Sequence, residues 1–86
     1  MSGNERKELR QLASYQYAHG FDSDGEAVEE YINDPTARSA WKSVHEFLAV
    51  LRRDVWWHFS QVGEESERRN YELMEQRIER TAEKLR

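Results

Sequence analysis

The 86-residue chain has no cysteine, one proline and four glycines. Without cysteine there is no disulfide framework, no thiolate-ligated zinc or iron–sulfur cluster, and no thiol nucleophile. Scarce proline and glycine leave few points at which a helix must stop. No stretch of 18 apolar residues occurs, so no membrane-spanning helix is expected. No period-two run of β-branched residues marks a strand. Met1 to Glu8 lacks the apolar run of a signal peptide, so a cytoplasmic location is expected. Basic residues are in deficit, 13 against 17 acidic, which argues against non-specific nucleic-acid binding as the main activity.

What remains is helix-forming sequence. Ala, Leu, Glu, Arg and Gln dominate, and the length allows a single helical domain over residues 1–86. Such a chain should fold to roughly 5,400 Å² of surface, a modest core with little room for a deep cleft. The pattern predicts an all-α fold, a small three- to four-helix bundle with a long central helix.

The first helix is expected over about 5–19, capped by Asn4, or by Ser2 with Glu5, and stopped by Gly20. Leu9, Leu12 and Ala13 make its stripe, with Tyr17 nearby. The second is expected over about 25–33, with Ser23 or Asp24 as cap and Ala27, Val28, Tyr31 and Ile32 on one side. Asp34-Pro35 fits an N-cap followed by a first helical residue, and the third helix is expected to run from 35 to 62, roughly 42 Å. Its seam is Ala37, Trp41, Val44, Leu48, Leu51, Val55, His58 and Val62. The fourth, about 65–85, is charged except for a thin stripe of Tyr71, Met74, Ile78, Ala82 and Leu85. That stripe suits packing along the third helix, or a homo-oligomer formed with a second copy.

Three surfaces stand out as protein-interface candidates. Arg38, Lys42, Arg52, Arg53 and Trp56 fall opposite the seam of a continuous third helix, a face for phosphates or an acidic protein, or an ordinary solvated face. Trp56 and Trp57 are adjacent, and neighbours on a helix point about 100° apart. Both indoles cannot enter one seam, and Phe59 spreads further aromatic area around the same helix end, so either the first and fourth helices surround that end or a partner covers it. Residues 22–34 carry Asp22, Asp24, Glu26, Glu29, Glu30 and Asp34 and no basic residue, an acidic patch able to steer a basic partner or simply to be solvated.

Signals for chemistry are weak. Asp22-Ser-Asp-Gly would be a calcium loop only if position 12 were Glu, and it is Tyr31. His19, His45 and His58 lack the spacing of a helical metal pair, although Asp54 and His58 are four apart. Ser14, Ser39, Ser43, Ser60 and Ser66 have no base beside them, and no glycine-rich phosphate loop exists. No enzymatic activity, cofactor or metal is expected. The function expected is a non-catalytic protein-interaction module, a regulator, adaptor or inhibitor acting by occlusion. The alternative is a small nucleic-acid-binding regulator using the basic face of the third helix.

Overall fold

The computed structural model describes all 86 residues. It is entirely helical: α1 Gly3–Ala18, α2 Asp22–Asn33, α3 Pro35–Ser39, α4 Val44–Gln61 and α5 Glu65–Lys84. Its surface is 5481 Å² and its extents are 38 × 22 × 20 Å.

Local chemistry accounts for most boundaries. The Ser2 side chain accepts from the Glu5 N–H at the start of α1. Gly20, at φ 83°, ends that helix. The Gly20 N–H bonds Tyr17 O and the Phe21 N–H bonds Gln16 O, the paired bonds of a Schellman motif. The chain re-enters a helix at once, because Phe21 O already accepts from the Gly25 N–H at 2.9 Å. Hence α2 starts at Asp22, three residues before the sequence pattern places it, and no side chain caps it. Asp34 caps α3 as expected, accepting from the Thr36 N–H with Pro35 in the first turn.

The expected helix over 35–62 is not continuous. It breaks at Ala40–Ser43 into α3 and α4. Ser43, with extended backbone, accepts from the Glu46 N–H, while Glu46 reaches back to accept from the Lys42 N–H at 2.6 Å. This is a capping box shifted by one donor, and Ser43-Val-His-Glu46 is its signature in the sequence. Arg38 reinforces the turn by donating to Tyr31 O and Ile32 O at the end of α2.

Four helices carry the packing. Side-chain contacts between α4 and α5 run His45 to Leu85, Arg52 to Glu75 and His58 to Tyr71, an antiparallel pair turned at Val62–Glu64. Those between α1 and α5 run Glu8 to Lys84, Tyr15 to Arg77 and His19 to Asn70, again antiparallel. Tyr31 of α2 stacks on Phe47 of α4, and Asp24 faces Asp54. The core comprises Leu9, Leu12 and Ala13, then Val28, Tyr31 and Ile32, with Val44, Phe47, Leu48, Leu51 and Val55 from α4. Met74 and Ile78 complete it from α5, fully buried, with Tyr71, Ala82 and Leu85 against them. Of the stripe offered for a homo-oligomer, Met74 and Ile78 are thus enclosed within their own chain, while Tyr71, Ala82 and Leu85 are half-buried. The seam of α4 also ends early, since His58 is exposed.

Three positions inside are polar: Glu8, Gln16 and Thr81, whose hydroxyl donates to Arg77 O one turn back. Glu8 is buried with Oε1 3.6 Å from Lys84 Nζ. Gln16 is fully buried, and neither polar atom of its side chain bonds within the chain. Tyr17, by contrast, lies over Gly25, where an added Cβ would meet its ring at 2.9 Å. Gln16→Met, of similar shape with no buried amide, should raise unfolding free energy by about 1–2 kcal/mol in denaturant titration. Ser43→Ala should lower it by about 1 kcal/mol, with Ser43→Asp restoring most of the loss.

Candidate functional site

The C-terminal half of α4 is where large apolar side chains meet solvent. Val55 is in the core, so a helical step of about 100° sends Trp56 to the α5 side and a second sends Trp57 nearly opposite the core. Trp56 is 53% exposed and Trp57 55% exposed. Val50, two turns before Trp57 on the same side of the helix, is also exposed. Neither α2 nor α5 reaches over this face, because α2 approaches α4 from the Asp54 side and α5 from the Arg52 side. Trp56 lines a shallow groove with Ala49, Arg52, Arg53 and Glu75. Trp57 meets the edge of His58, whose ring stacks on Tyr71. Phe59 is half-buried under the guanidinium of Arg68, 4.7 Å above its ring, so it is largely absorbed by the chain itself.

The four basic candidates do not form one face. Arg38 is bound to the carbonyls of α2, and Lys42 lies in the α3–α4 connection. Arg52 pairs with Glu75 and Glu79 of α5, each at 3.3 Å. Half-exposed pairs of this kind contribute little to stability, but they orient the guanidinium toward α5. Lys42 and Arg53 are exposed and form no ion pair, and Arg53 is set between the two indoles on the outer surface of α4. The continuous positive stripe that nucleic-acid binding would use is thus not assembled.

Of the acidic residues, Asp22, Glu26, Glu29, Glu30 and Asp34 are exposed along α2 and its end, and Asp34 also caps α3. Asp24 departs from the others. It faces Asp54 and His58 across a pocket of about 190 Å³ lined also by Phe21 and Tyr71. Burial, and then the Asp54 carboxylate, hold its pKa above the ordinary aspartate value, with His58 acting the other way. His58 Nδ1 lies 2.8 Å from Asp54 O. No three His, Asp or Glu side chains converge as metal ligands. Only the Asp54–His58 spacing hinted at this pocket in the sequence, because its other members come from the α1–α2 turn, α2 and α5.

Comparison with protein-family models, with curated proteins and with solved structures found no match. No helix is long and apolar enough to cross a membrane.

The carboxyl pair makes a direct test. Asp54→Asn should lower the Asp24 titration midpoint, read by carboxyl-carbon NMR, and an unchanged midpoint would refute the coupling. The folded pKa of Asp24 is the raised one. Its contribution to stability is therefore complete below the unfolded-chain value and disappears as pH rises through the folded value. Asp54→Asn should flatten that acid-range dependence.

Proposed function

We propose that the chain is a small non-catalytic protein-interaction module, a regulator, adaptor or inhibitor that works by covering a partner's surface. The outward face of α4, centred on Trp56 and Trp57, is its contact surface. One observation carries this reading: two adjacent indoles each more than half exposed, although the chain has a core able to enclose aromatic rings such as Tyr31 and Phe47. Tryptophan and arginine are the residues most often dominant at protein interfaces, and Arg53 sits between these two. Covering what remains exposed of both rings removes on the order of 200 Å² from water, about 5 kcal/mol before the costs of association. The exposed acids of α2 would steer approach by a basic partner rather than supply affinity.

The test is affinity capture from the native host, quantified by mass spectrometry, with wild-type chain and a Trp56→Ala/Trp57→Ala variant shown to be helical by circular dichroism. Partners held by the wild type should fall at least about tenfold with the variant. Equal recovery by the folded variant would refute the proposal.

A further inference from the structure

Besides the indoles, α4 borders a second apolar feature at its other end. Ala27 and Tyr31 of α2, Ala37 and Ala40 of the α3 segment, and Trp41 and Phe47 beyond it line an open groove of about 310 Å³. Tyr31 and Phe47 stack at 4.4 Å and Trp41 meets Phe47 edge-on, so the floor is firm and aromatic. Its one charged lining residue is Glu30, with Glu26 one turn before it on α2. Neither acid has an ion-pair partner in the chain, and the same holds for Arg53 between the indoles.

We infer that the occupant of this groove is a second copy of the chain, docking head to tail: Trp56 or Trp57 of one copy enters the groove, and Arg53 meets Glu30 of the other. This rests on the reading of the indoles as a contact surface. The two features are complementary in apolar character, and Arg53 beside the one is opposite in charge to Glu30 lining the other. They cannot meet within one molecule, since Trp57 lies ten residues beyond Phe47 on α4, about 15 Å along its axis, and points away from the core. The contact is heterologous, leaving an unused knob and groove on every pair, so assembly continues as an open chain or closes as a ring. Its small area makes it weak and concentration-dependent.

Sedimentation velocity of the full chain tests this. Weight-average mass should rise above 10.3 kDa with concentration in the wild type. Ala40→Arg, at an exposed groove position, should remain monomeric, as should Trp56→Ala/Trp57→Ala. An equimolar mixture of those two should form a dimer and stop, because only one intact knob and one intact groove can pair. Arg53→Glu and Glu30→Arg should each weaken association at least about tenfold, and mixing them should restore it. A wild type that stays monomeric overturns the inference, as does a mixture that stays monomeric. So does an Ala40→Arg chain that associates like the wild type, the mark of an isologous indole contact. If the wild type is monomeric while the tryptophan variant still loses its captured partners, self-docking alone is refuted and the interaction role stands.

Discussion

The break at Ala40–Ser43 is the constraint on which the arrangement depends. An uninterrupted helix over 35–62 would be roughly 42 Å long, longer than the 38 Å long axis of the molecule. Its end would project beyond anything able to cover it. With Ser43 and Glu46 closing a cap, α4 is 18 residues, about 27 Å, lies antiparallel to α5 and meets α2 through Phe47 on Tyr31. Val44, Phe47, Leu48, Leu51 and Val55 then all enter the core, while α3 folds back against the end of α2 through Arg38.

The same break decides the surface. On one rod, Arg38, Lys42, Arg52 and Arg53 would share a face. Divided between two helices and a connection, they take separate duties: closing α2, lying in the turn, pairing with α5 and facing solvent. A chain with many charges is left with one unpaired arginine beside its most exposed aromatic area. Docking there would rest on desolvation of indole rings, with charge setting orientation.

Much of the fold was legible in residue order. The caps at Ser2 and Asp34, the stop at Gly20 and the span of α5 each depend on groups within a few residues of one another. The divergence of the indole pair was legible too, because a 100° step between neighbours is a local property, but that both rings stay exposed follows from which helices pack against α4. The break at Ser43 had a local signal, the Ser43 to Glu46 spacing, but a helix-forming apolar seam ran across it and masked it. Gln16 could not be read as buried, since its place inside depends on which side of α1 two other helices occupy.

Sequence alone determined that this chain is helical, where most of its helices begin and end, and that Trp56 and Trp57 diverge, because all of these are governed by hydrogen bonds and geometry spanning four or five residues. Tertiary structure alone decided that Met74 and Ile78 of α5 are enclosed, that Arg52 is paired and Arg53 free, and that Asp24 shares a pocket with Asp54. Those outcomes depend on which helices become neighbours, and that is set by the simultaneous burial of faces far apart in the chain.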